Sequence, residues 1–307
     1  MGKARVALFV LATALVLAGC VSRTGGMPDR APAGDLVLDY PSIDHELDPC
    51  SLTGPAAFEP YGTATMPGRP DLDSCRVRVT TGQGPVYVWV GDQRYTHMLP
   101  EERTEIADLG RGATLVRLGE TCDTVLTFGE GQAILATTTT IGNESPDKNV
   151  LCALTEGAAQ GVFNVLAAGR AEFWRPAPDS LANVSACEAL SWPLAAEQLG
   201  LEHKEPTSPV WGHWCRWGDT EGKHALLAFP VAEEPADLGA TAPPETIAGR
   251  ESWVVEVGIG CTVYTKHREF ELGAGTFEFA WLNVSKPEGA CAVARTLAAD
   301  AWAQLPS

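Results

Sequence analysis

The chain has 307 residues, 39 of them acidic against 22 Lys and Arg, for a formal charge of −17. No run of basic residues interrupts that excess. Phosphate backbones and anionic headgroups both require clustered Lys and Arg, so the composition excludes nucleic acid as a partner and charge as a means of holding a membrane.

The first element is "MGKARVALFVLATALVLAGC", with Lys3 and Arg5 ahead of an apolar run from Val6 to Ala18. It has the three regions of a secretory signal. Those thirteen residues would span roughly 20 Å as a helix, short of the ~30 Å hydrocarbon core, and no later stretch comes close to a span. Small residues directly before Cys20 resemble a bacterial lipobox. We therefore expect a signal peptide over 1–19, and Cys20 as an acylated mature N-terminus carrying diacylglycerol, whose two chains suffice for stable anchoring. The expected partner is the membrane, through the N-terminal lipid, and the expected location is the extracytoplasmic face. Losing the leader takes the formal charge from −17 to −19, because only Lys3 and Arg5 are removed. Residues 20–46, rich in Gly, Pro and Asp, read as a flexible tether with an end-to-end distance of roughly 25–30 Å.

Eight cysteines follow: Cys50, Cys75, Cys122 and Cys152, then Cys187, Cys215, Cys261 and Cys291. The intervals are 25, 47 and 30, then 28, 46 and 30. This repeated spacing points to internal duplication. Gly119 and Gly258 each precede a cysteine by three, Cys152-Ala153 matches Cys291-Ala292, and Phe163 and Leu166 fall where Trp302 and Leu305 fall. An even count in an exported chain favours disulfides. Four cysteines allow three pairings per half. Neighbours are expected to pair: Cys50–Cys75, Cys122–Cys152, Cys187–Cys215 and Cys261–Cys291.

The first half reads as a short helix in "CSLTGPAAFEPYG", then strands in "CRVRV", "PVYVWV", "TLVRL", "TVLTF" and "AILATTTTI". The second reads as a helix in "CEALSWPLAAEQLG", stopped by Gly200, then strands in "HWCRW", "ALLAFPV", "SWVVEV", "CTVYT" and "TFEFAWLNV". A helix after the fourth cysteine closes each half. In the second, Ala294, Leu297, Ala298, Ala301, Trp302 and Leu305 recur at helical spacing. The expected fold class is α+β. It has two tandem repeats, residues 47–174 and 181–307, each an antiparallel sheet of about five strands with an N-terminal and a C-terminal helix on it. "RPAPDS", residues 175–180, is the expected linker.

"LDPCSL" at Leu47 to Leu52, the helix beginning at Cys291 and the closing "LP" at Leu305-Pro306 resemble a family of actinobacterial lipoproteins of unknown function. The resemblance implies a single disulfide-stapled α+β domain, similar in shape to the extracytoplasmic sensor domain of mycobacterial serine/threonine kinases. This chain departs from the family in carrying two copies, and in having Ser185-Ala186 where Asp-Pro precedes the first cysteine. The resemblance implies an address and a fold; it brings no site residues.

No catalytic constellation is legible. "GDTEGKH", residues 218–224, ends like a phosphate-binding loop, but Trp217 and His224 stand where that loop needs Gly and Ser or Thr, so a hairpin turn is expected. The histidines, 45, 97, 203, 213, 224 and 267, include no i,i+4 ligand pair. No metal and no cofactor are expected, and each histidine reads as a surface or partly buried side chain. "DLDS", residues 71–74, lacks the Gly and Glu of a calcium loop and reads as polar loop. The sequons at Asn143, Asn183 and Asn283 carry little weight.

Seven of the nine tryptophans lie in the second half. If "HWCRW" is a strand, alternation sends Cys215 and Trp217 to the core and Trp214 and Arg216 to the outer face. Aromatics beside a guanidinium suit sugar rings or planar ligands. Trp211, Trp214 and Arg216 are thus the candidate ligand-binding residues. The expected function is a non-enzymatic, lipid-anchored binding or sensor-like protein of the cell envelope, with an envelope protein or glycan as partner. The alternatives are a scaffolding lipoprotein and an envelope enzyme assembled from scattered residues.

Overall fold

The computed structural model describes residues 34–38, 46–129, 131–142, 145–202, 206–208, 210, 212–219, 222–239 and 243–307. The signal peptide, Cys20, most of the tether and Trp211 lie outside the described residues.

Strand β1 (Glu46–Leu47) precedes a seven-stranded antiparallel sheet of β2 (Gly62–Gly68), β3 (Ser74–Thr81), β4 (Gly84–Tyr95), β5 (Arg103–Gly110), β6 (Ala113–Leu118), β7 (Thr124–Phe128) and β8 (Gln132–Thr140). The spatial order is β2-β3-β4-β8-β7-β6-β5. Helix α1 (Lys148–Ala167) then covers one face, and β9 (Phe173–Trp174) returns to pair with β1. The second half opens with α2 (Ala186–Ala189) and α3 (Trp192–Leu199). Its sheet consists of β10 (Trp214–Gly218), β11 (His224–Ala228), β12 (Val231–Ala232), β13 (Glu245–Ile247), β14 (Arg250–Val257), β15 (Gly260–Glu269) and β16 (Phe277–Ser285). The order is β10-β11-β16-β15-β14-β13, with β12 on β16, and α4 (Ala290–Gln304) covers the sheet.

The expectation of two α+β repeats with five-stranded sheets is thereby corrected. The described chain is mostly β, in sheets of two, seven and seven strands. The physical reason lies at the edges. The five strands recognised in the first half are the interior ones, whose valines alternate into the core. The two missed, β2 and β5, are the edge strands, and their burial never becomes complete at any position. Polar and charged residues such as Arg103, Glu105 and Asp108 suit an edge and erase the period-two signal. In the second half the missed β13 is also an edge, and Phe229-Pro230 divides "ALLAFPV" into β11 and β12.

The expected opening helix of the first half is likewise replaced by two single 3-10 turns, Pro49–Ser51 and Pro55–Phe58. Two prolines within seven residues remove donors and restrict the residue before each. In the second half the helix forms, as α2 and α3. Gly200 ends α3 at φ 64, where its own N–H and that of Leu201 reach back to Glu197 and Ala196.

The cores follow the alternation. Val77 and Val79 of β3 and Val86, Val88 and Val90 of β4 are fully buried beneath Leu154, Ala158 and Val162 of α1. Each such side chain contributes about 1.5–3 kcal/mol. In the second half Cys215, Trp217, Leu227, Val263 and Leu282 meet Ala294, Leu297, Ala301 and Trp302 of α4. By length and a hydropathy of 1.4, α1 could cross a membrane, contrary to the reading that no later stretch could. Here its apolar side packs on the sheet. Leu36 and Leu38, inside the segment read as tether, are buried in the first core, and the Leu36 N–H donates to the Arg111 carbonyl at 2.6 Å.

Neighbouring cysteines pair in all four disulfides: Cys50–Cys75, Cys122–Cys152, Cys187–Cys215 and Cys261–Cys291. Residues 34–307 form one compact unit, and side chains pack directly across the junction. Leu72 and Trp174, from the first half, pack into the core of the second. Ser180 ends the expected linker buried, its hydroxyl donating to Glu278 at 2.7 Å, while the same carboxylate accepts the Leu181 N–H at 2.7 Å.

Candidate functional site

Helices occupy one face of each sheet, and the two helix-free faces line a common cavity of about 520 Å³. From the first sheet come Trp89, Thr137 and Thr139, opposite in parity to the buried Val88, Val90 and Ala136, and Arg94, which follows the register shift between Gly91 and Gln93. From the second come Trp214 and Arg216 of β10 and Leu226 and Ala228 of β11. The face predicted to point outward is therefore covered by the other half, but with a ligand-sized space left between.

The polar end of the cavity is built by a loop and a bulge. Asp71, Asp73 and Ser74 precede and enter β3. The pairing of β4 with β8 slips between Gly91 and Gln93, and the bulge puts Asp92 at φ 47, a conformation uncommon outside glycine. Gly91, at φ 137, is required for close approach: a Cβ there would lie 2.1 Å from the Asp73 carbonyl oxygen. The Asp92 N–H donates to that same oxygen at 2.9 Å. Asp92 pairs with Arg94 and accepts from Trp214 Nε1 at 3.4 Å. The guanidiniums of Arg94 and Arg216 lie 5.9 and 5.8 Å from the Trp214 ring centroid. Trp214 is thus held by charged groups from both sheets.

His213, immediately before β10, is 3% exposed. Its Nδ1 lies 2.6 Å from Asp73 Oδ1 and its Nε2 3.0 Å from the Ala182 carbonyl. A carboxylate and a carbonyl both accept, so the two contacts suit an imidazolium whose ring nitrogens both donate. Burial alone would lower its pKa. The Asp73 charge and hydrogen bond, the Glu46 charge and the Ala182 carbonyl outweigh burial and raise it to about 9. Burial raises Glu46 to about 7, with His213 pulling it down and Asp73 pushing it up. Burial also raises Asp71 to about 6, reinforced by Asp73, although Ser74 Oγ and the Asp73 N–H donate to it at 2.8 and 2.9 Å. With both nitrogens engaged, His213 has no lone pair for proton abstraction; it joins the halves. Among the described residues no cluster of three or more His, Cys, Asp or Glu is arranged to hold a metal ion.

Of the predicted site residues, Trp214 and Arg216 line the cavity, Trp211 lies outside the described residues, and Cys215 and Trp217 sit behind the wall in the core. Sequence reasoning missed Trp89, Arg94, Asp92 and the Asp71/Asp73 pair, and it read His213 as a surface or partly buried side chain with no role at a site. The signal at hand was "DLDS" before Cys75, two carboxylates at a spacing that no solvated loop requires. His213 could not be matched to it, because its partner Asp73 lies 140 residues away.

No protein-family model and no curated protein matches the chain. Among solved structures, the chain shares 14% identity with DynU16, a protein in the dynemicin biosynthetic locus, with 84% of this chain and 92% of that one covered at a TM-score of 0.14.

Proposed function

We propose that this is a lipid-anchored, extracytoplasmic binding protein of the cell envelope, non-enzymatic, with its ligand seated between the two sheets. The carrying observation is the cavity of about 520 Å³ walled by Trp214 and Arg216 on one side and Trp89 and Arg94 on the other. That size suits a small organic molecule or a saccharide unit. Tryptophan faces with neighbouring guanidiniums and carboxylates suit a polar ring. The secretory leader, the small residues before Cys20 and four disulfides agree with an oxidising, extracytoplasmic setting.

The test is a thermal-shift screen of the full chain against envelope saccharides and small ring compounds, run in parallel on the Trp214→Ala/Arg216→Ala double variant. A ligand at a hundredfold its Kd stabilises the wild type by about 2.7 kcal/mol. The double variant is expected to lose that stabilisation. Equal stabilisation of both proteins would remove the cavity as the binding site.

A further inference from the structure

A second opening between the sheets, about 690 Å³, shares Asp71, Trp89 and Ala228 with the first. Its distinctive wall residue is Arg76, which lies opposite Trp89 in the β3–β4 register. Its guanidinium stands 4.7 Å from the Tyr87 ring centroid and 5.6 Å from that of Trp89. The ring faces set the orientation of the guanidinium without neutralising it. Arg76 Nε is buried with no hydrogen-bond partner, as is the neighbouring Trp89 Nε1.

The other arginines of the two openings differ. Arg69 is paired with Asp48, and Arg94 with Asp92; Arg216 is also engaged. Arg76 has no carboxylate partner among the described residues. The acids that line the same opening are otherwise placed. Asp71 is held by Ser74 and the Asp73 N–H. Asp237 accepts the Glu234 N–H at 2.8 Å, and both Glu233 and Asp237 are exposed at the mouth. Between lie Trp281, Val231 and Leu238.

From this juxtaposition of an uncompensated, stacked guanidinium with an apolar bed behind an acidic rim, we infer that the second opening is a subsite for a ring-bearing monocarboxylate. The planar fork of Arg76 matches a carboxylate bidentately. The ring lies against Trp89 and Trp281. The exposed rim acids and the chain's charge of −17 repel multiply charged anions, so a single charge is selected. The assignment rests on the reading that the inter-sheet space holds a ligand, and adds the chemical class of one end of it.

The test is isothermal titration of the full chain with 2-naphthoate, 2-naphthol and 2-naphthylmethylamine. Naphthoate is expected to bind, and the neutral and cationic analogues to bind at least about tenfold more weakly, the value of one charge-assisted hydrogen bond. Arg76→Gln is expected to weaken naphthoate binding about 10- to 100-fold at an unchanged melting temperature, and Arg76→Lys to fall between. Undiminished binding by Arg76→Gln, equal binding of the three probes, or no binding of naphthoate to the wild type overturns the subsite. Loss of naphthoate in Trp214→Ala with both Arg76 variants silent moves the ligand to the first cavity: the subsite fails and the proposed function stands. Loss confined to the Arg76 variants, when no ligand in the screen distinguishes Trp214→Ala/Arg216→Ala from wild type, leaves the subsite standing and removes the first cavity.

Discussion

The two halves share one cysteine framework, and each brings a tryptophan and an arginine to the common cavity, yet their other groups at the boundary differ. The first contributes carboxylates, Asp71, Asp73 and Asp92, from a loop and a bulge. The second contributes His213, Trp214 and Arg216 from one short segment. The halves also open differently, with proline-broken turns in the first and α2 and α3 in the second. The difference teaches that the repeated spacing governs what faces each half's own helix, while the helix-free faces share a Trp–Arg pair and differ in their remaining charged groups. The buried His213–Asp73 pair joins the parts of the two surfaces that differ.

The sharpest way to break that junction is His213→Ala. It strands Asp73, whose side chain is 8% exposed, beside Glu46 without a counter-charge. Removing one partner of a buried ion pair costs about 3–5 kcal/mol, so chemical denaturation is expected to show a loss of that size. A loss below ~1 kcal/mol, the range of exposed pairs, would show that the halves are held by packing alone.

The likeness of the halves can be sharpened through Cys122–Cys152 and Cys261–Cys291, which both span 30 residues. Loop-closure entropy depends on that span, so replacing either pair by alanines is expected to cost a similar amount, about 3.5 kcal/mol. Markedly unequal midpoints in denaturant would mean that one half retains more structure when unfolded.

The remaining expected effect is graded and depends on pH. Glu46 and Asp71 are raised from ordinary values of 4.5 and 3.8 to about 7 and 6, so the folded state binds more protons than the unfolded chain and stability falls as pH rises through that range. His213 is raised from 6.5 to about 9. Its contribution is complete below 6.5 and is lost as pH climbs through 9, so it acts in the same direction. The melting temperature is expected to decline from pH 5 to pH 9, and His213→Ala to flatten the upper part of that decline. A rise over the same interval would contradict the charge arrangement at the junction.

How much of this was legible in the sequence varies with distance along the chain. Cysteine pairing was, because each partner lies 25 to 30 residues from the other inside a repeated interval. The placement of Trp217 in the core and Trp214 and Arg216 on the opposite face was too, because alternation in a strand is a local constraint. Interior strands announced themselves through Val77, Val79, Val86, Val88 and Val90. The edge strands β2, β5 and β13 did not, since a residue that meets solvent carries no obligatory pattern. The short helix expected after Cys50 failed because Pro49 and Pro55 outweigh the apolar residues around them.

The sequence by itself determined the disulfide framework, the interior strands and the closing helices, which rest on periodicity and on contacts within about thirty residues. Only the tertiary structure decided that the two helix-free faces oppose one another, that the bulge at Gly91-Asp92 turns a carboxylate toward Trp214, and that His213 meets Asp73. Those are pairings between surfaces far apart in the chain. Any single charged residue is equally at home in solvent, and its role is fixed by a partner that local pattern does not name.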